Sequence, residues 1–172
     1  VLAAGLVYPT LSVWTKTIGF RGTTQIAKGR IATLDGTAYM RGTRLDDYLA
    51  IRWINQSLDP GAVISEAVGG SYTEYGRVSA HTGLSTVLGW PGHELQWRGG
   101  YSESAGREED IATLYSSLSW SEAVDILEKY DIRYVYLGDL ERVKFPASGF
   151  TKLEEHMQMV YSVGNVTIFE RK

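Results

Sequence analysis

The chain has 172 residues, no cysteine and a formal net charge of −3. At this length a single domain buries about 70% of the surface its unfolded chain exposes, and the lack of cysteine excludes a disulfide framework, a thiolate metal site and a cysteine nucleophile. Lysine, arginine, aspartate and glutamate are interspersed rather than gathered into a basic stripe, so a nucleic-acid partner lacks its electrostatic footprint.

The opening run, VLAAGLVYPTLSVW, is apolar with no charged region before it, and Pro9 and Lys16 interrupt it well short of the ~20 apolar residues a membrane-spanning helix needs. It reads either as an apolar strand or arm docked on the domain or as the end of a membrane helix. Residues 9–44 repeat Gly, Thr and Arg with little periodicity, and Asp35-Gly36 offers a turn. Residues 1–44 are therefore expected to form an extended lead-in to one domain over 45–172.

From Leu45 the pattern becomes helical: Leu45, Leu49 and Trp53 make one i,i+4 stripe and Ile51, Ile54 and Leu58 a second. Asp46 and Asp47 suit the positive end of the helix dipole, and Asp59-Pro60-Gly61 stops it. The short apolar run Ala62–Val68 reads as an interior strand that ends in Gly69-Gly70. A second short strand, Ser85–Leu88, should lead into a loop, Trp90–Gly100. REEDIATLYSSL has an acidic first turn and a stripe of Ile111, Leu114, Tyr115 and Leu118, and Ser119 with Glu122 has the spacing of a capping box for a helix over Trp120–Tyr130. IRYVYLG alternates as a strand, with Arg133–Leu137 interior. Phe150–His156 is a short helix, and Gly164-Asn165 is a hairpin turn between two β-rich runs. The expected fold is α/β: a mixed sheet of about five strands flanked by helices and ending in a β-hairpin. Ligands in such sheets sit beyond the carboxyl ends of the strands.

Most catalytic patterns fail on inspection. His93-Glu94 is not a zinc-protease motif, because Trp97 stands where the second histidine is required. His81, His93 and His156 are the only histidines and are not spaced to share a metal, so no metal site and no cofactor are expected. VGGSYTEYG follows a strand but lacks both a dinucleotide fingerprint and a P-loop lysine. No Gly-x-Ser-x-Gly elbow is present. Asn55 and Asn165 begin sequons that fall in a helix and a hairpin, and Asp139, Glu141 and Arg142 read either as ligand-binding residues or as a solvated, salt-linked turn.

The strongest residue-level signal is the segment holding Trp90, His93, Glu94, Trp97 and Arg98. Indole faces stack on sugar rings, while Arg, Glu and His bond hydroxyls or phosphates, and the glycines allow close backbone approach. The alternative is a plug in which the two tryptophans pin a surface loop to the domain.

Taken together, YPT, TLDGTAYM, DDYLAIRWIN, GLSTVLGWPGHELQWRG and EKYDIRYVYLGDLER resemble the C-terminal soluble portion of the YYY-type polytopic membrane proteins. That family is similar in layout to the C-superfamily membrane glycosyltransferases. The resemblance implies an extracytoplasmic domain of a cell-membrane protein, partnered by the membrane part of its own parent chain. There it would assist binding of a carbohydrate or lipid-linked sugar rather than perform catalysis. A partner-binding cap with no ligand site, or an independent carbohydrate-acting enzyme, are the competing expectations.

Overall fold

A computed structural model of the protein describes residues 2–16, 35–102 and 104–172. The chain divides into two units, Val1–Ala38 and Tyr39–Lys172. In the first, Leu2–Lys16 forms helix α1 with Pro9 inside it. The extended lead-in expected over 1–44 is thus helical over this stretch, which is rich in Leu and Ala, the strong helix formers, although Pro9 opposes it. Among the described residues no helix is long and apolar enough to cross a membrane. Residues 17–34 lie outside the described residues. The Asp35-Gly36 turn is present: the Asp35 carboxylate accepts from the Thr37 backbone N–H at 2.9 Å.

The second unit begins with a short helix α2, Met40–Thr43, followed directly by α3, Leu45–Ser57. Its sheet contains β1, Val63–Ser65; β2, Ile132–Leu137; β3, Gln158–Val163; and β4, Val166–Glu170. The order is β1-β2-β4-β3, with β1 and β2 parallel and the other pairs antiparallel. Helices α4, Arg77–Thr82, and α5, Pro91–Arg98, follow β1. Helices α6, Arg107–Ser116, and α7, Trp120–Lys129, precede β2, and α8, Asp139–Lys144, and α9, Thr151–His156, follow it.

Two cores flank the sheet. Val135, Leu137 and Phe169 face Ile111, Leu114 and Tyr115 of α6, Ala123 and Leu127 of α7 and Leu153 of α9. On the opposite face Ile64, Tyr134, Tyr136 and Ile168 meet Ala50 and Ile54 of α3 and Val78 of α4. The pleat of β2 sends alternate side chains to the two cores, as the pattern in IRYVYLG requires. Ser119 caps α7 by accepting the Glu122 backbone N–H. Gly164 turns the hairpin at φ +52°, and Asn165 donates its backbone N–H to Asp46 at the start of α3.

Three expectations are corrected. Four strands are observed rather than five, because Ser85–Leu88 contributes a single parallel bridge, Val63 to Ser85, before Val87 and Leu88 turn into the core. The Ala62–Val68 strand is shorter, Val63–Ser65, and stands at the end of the ladder, its outer side donating the Ile64 N–H to Ser85 O at 2.9 Å. The chain leaves the sheet after Ser65, and the next residue, Glu66, is drawn to the start of α4 by two unpaired backbone donors there. Finally, Trp90–Gly100 is not a loop: Pro91–Arg98 is a helix.

Candidate functional site

The parallel strands β1 and β2 point their carboxyl ends the same way, and the Ser85 segment runs parallel beside β1. The chain leaving β1 passes through Gly69-Gly70 to α4, and the chain leaving β2 enters α8 at Gly138. Between these exits lies a buried charge cluster built on Arg77. Its Nη2 donates to Glu141 Oε2 at 3.0 Å, and its Nη1 to Glu141 Oε1 at 3.3 Å. Arg77 Nε lies 3.0 Å from Asp47 Oδ2 but not in hydrogen-bonding alignment, so that contact acts as charge attraction. The side chains of Arg77, Asp47 and Glu141 are at most 3% exposed. Glu141 also accepts the Ala67 and Gly138 backbone N–H groups, and the Tyr136 hydroxyl donates to Asp47 at 2.6 Å. Burial alone would pull the Arg77 pKa down, but Glu141 and Asp47 more than reverse it. The Asp139–Arg142 turn is therefore not simply a solvated salt link, since Glu141 is fully buried.

Glu66 is buried beside this cluster, its carboxylate accepting the Val78 and Ser79 backbone N–H groups at 2.9 and 2.8 Å. Burial raises its pKa, outweighing those hydrogen bonds and the attraction of Arg77. The folded state thus keeps the Glu66 proton to higher pH than the unfolded chain does. Its share of stability is complete below the ordinary value of 4.5 and is lost as pH rises through the folded value. The stability of wild type relative to Glu66→Gln, read as the difference in urea midpoints, should fall steadily as pH rises from 4.5 towards neutrality. A difference that is flat or grows with pH would contradict this assignment.

The front of the cluster opens into a cleft of about 300 Å³ lined by Tyr39, Tyr72, Tyr75, Trp90, His81 and Glu74, with Arg77 at its back. Its outer wall is the 69–76 loop. Tyr75 lies flat on Gly69, where an added Cβ would fall 2.1 Å from the Tyr75 ring. The indole N–H of Trp90 donates to the Tyr75 carbonyl and clips the loop shut. Tyr72, at the loop tip, is 81% exposed and sits at φ +61°. A bulky residue in the left-handed region is a backbone outlier, and such strain clusters at binding sites. Its ring lies 5.5 Å from Trp90 and 4.8 Å, edge-on, from His93.

Of the five residues singled out in the sequence, Trp90 lines the cleft and His93 supports it from behind Tyr72 and Trp90. His93 Nε2 is buried with no hydrogen-bond partner among the described residues. Glu94 and Arg98 form an i,i+4 ion pair along α5, and Trp97 is 80% exposed. Trp97 follows His93 by four residues, so the two lie on the same face of α5, with Trp97 one turn farther from the cleft. The structure adds Tyr39, Tyr72, Glu74 and His81, which sequence reasoning missed. The strand-loop-glycine context of VGGSYTEYG hinted at Tyr72 and Glu74 alone.

Neither a protein-family model nor a curated protein matches the chain. Among solved structures it is similar to the C-terminal globular domain of oligosaccharyltransferase from Archaeoglobus fulgidus, with 17% identity and a TM-score of 0.48 over 83% of this chain and 100% of that one.

Proposed function

We propose that the chain is the extracytoplasmic domain of a polytopic membrane protein of glycosyltransferase layout. In this reading it holds a sugar while the membrane part of the parent chain performs the transfer. The supporting observation is the cleft at the carboxyl ends of the parallel strands, walled by Tyr39, Tyr72, Tyr75 and Trp90, with Glu74 and His81 as polar partners. Aromatic faces bury the apolar face of a pyranose while carboxylate and imidazole groups bond its hydroxyls. The GWPGHELQWRG resemblance falls on the same place, since Trp90 is the N-cap of α5 and a wall of the cleft. Trp97 and Arg98 continue the surface outward and are assigned to a glycan longer than one residue. In this reading the domain's role is recognition, with Arg77 locked between two carboxylates beside the cleft.

Tryptophan fluorescence titrated with methyl glycosides and short oligosaccharides tests this reading. Tyr72→Ala should weaken binding about ten-fold, which is the loss of one stacking contact of ~1–1.5 kcal/mol, while leaving the melting temperature nearly unchanged, because the ring is exposed. Trp97→Ala should weaken binding of oligosaccharides only. Absence of saturable quenching by any sugar would discard the carbohydrate reading in favour of a partner-binding cap.

A further inference from the structure

We infer that this cleft also accepts a positively charged group, a methylated ammonium. The inference deepens the assignment of the cleft as a ligand site and rests on it. Charge and hydrogen-bond supply decide the matter together. Behind the cleft, contacts link two guanidiniums, Arg44 and Arg77, to three carboxylates, Asp47, Glu74 and Glu141. The linked set carries one excess negative charge. Arg77 lines the cleft but is closed between Asp47 and Glu141, so it offers no charge to an anion. Glu74 is the carboxylate at the mouth, 43% exposed, held 3.3 Å from Arg44.

The walls are tyrosine and tryptophan rings, whose negative faces attract cations. A primary ammonium is best held by directed acceptors for three N–H donors, and here one Glu74 oxygen is shared with Arg44 and one lone pair of the Tyr75 carbonyl with the Trp90 indole. A quaternary ammonium has no N–H to satisfy and needs only aromatic faces and diffuse negative charge. Lys144 already lies 5.7 Å from the centroid of the Tyr75 ring, but Tyr39, Tyr72 and Trp90 also line the cleft beside Glu74, and the volume of about 300 Å³ admits a trimethylammonium group.

The test titrates the whole chain with tetramethylammonium chloride, following tryptophan fluorescence, against sodium chloride at equal ionic strength. Saturable binding by tetramethylammonium, weaker binding by methylammonium, and a loss of about ten-fold in Glu74→Gln are expected. Choline and phosphatidylcholine vesicles separate the sources: binding of both means a lipid headgroup, and binding of choline alone a dissolved small molecule. If sugars bind and tetramethylammonium does no more than sodium chloride, the cation inference is overturned and the carbohydrate reading stands. If tetramethylammonium binds and no sugar does, the carbohydrate reading falls instead. Equal tetramethylammonium affinity in wild type and Glu74→Gln would also overturn the cation inference, because the mouth carboxylate would then play no part.

Discussion

Arg77→Met should lower the unfolding free energy by about 3–5 kcal/mol, the cost of leaving buried carboxylates without their cation. Methionine matches the length and much of the volume of the arginine stem, so the change isolates charge from packing. Glu141 would keep the Ala67 and Gly138 backbone donors, and Asp47 would keep the Tyr136 hydroxyl, but both would retain negative charge in a dry interior. Restoring neutrality should therefore restore stability. Arg77→Met combined with Glu141→Gln should recover part of the loss in urea denaturation, since the Glu141 charge is gone while Asp47 keeps Arg44 at 3.7 Å. A single variant that loses less than about 1 kcal/mol would mean that the pair is held at a surface value rather than a buried one. The same variant should also disturb ligand binding, because Arg77 is the back wall of the cleft.

How much of this was legible in the sequence depends on whether the determinant was local. Helix α7 was legible because its cap, Ser119 to Glu122, and its apolar stripe lie within one short segment. Strand β2 and the terminal hairpin were legible for the same reason: alternation in IRYVYLG and the Gly164-Asn165 turn are nearest-neighbour signals. Helix α5 was misread although its signals were present. Pro91 stands in its first turn, Glu94 and Arg98 pair across one turn, and Gly99 closes it at φ +73°. The glycines and tryptophans around it equally suit a loop, and that likeness masks the proline, ion-pair and glycine signals of a helix.

What the sequence could not display was tertiary. Ser85–Leu88 looks like a strand, but Arg107 claims the Val87 carbonyl at 2.9 Å and the segment turns inward after one bridge. Glu66 inside AVISEAV and Glu141 after IRYVYLG look like solvated charges. Each is buried because a backbone donor or guanidinium from a distant segment meets it, 12 residues away for Val78 and 64 for Arg77. One cue was available: an acid inside a continuous apolar run is expensive to bury and so implies a partner. The site followed the same rule. Trp90 is legible in one segment with His93, Glu94, Trp97 and Arg98, but the cleft forms only where the 69–76 loop meets it, and nothing local to Tyr72 announces that its ring will be exposed at φ +61°.

Gly149→Ala should be the most damaging single-atom change outside the cluster. Gly149 is buried between the Pro146 turn and α9, and an added Cβ would lie 2.1 Å from the Tyr115 carbonyl oxygen and 2.8 Å from Ser116 Cα. Both are backbone atoms of the last turn of α6, so no side-chain rotation relieves the overlap and the helix end itself must move. That end carries Tyr115, whose buried hydroxyl lies 3.0 Å from the Ser65 carbonyl and 2.8 Å from the Tyr136 carbonyl and so ties α6 to the carboxyl ends of both parallel strands. Lys152, which donates to the carbonyls of Ser117 and Gly149 at 2.6 and 2.7 Å, would be displaced with it. Overpacking of this kind costs about 1–3 kcal/mol, and the lost hydrogen bonds add ~1 kcal/mol each, so a drop of roughly 3 kcal/mol or more is expected. Gly100→Ala is the matched control: its Cβ meets nothing within 4 Å, and its effect should stay within about 0.5 kcal/mol of zero. Equal melting temperatures for the two variants would show that α6 yields without strain, and that Tyr115 does not rigidly couple the helix layer to the carboxyl ends of β1 and β2.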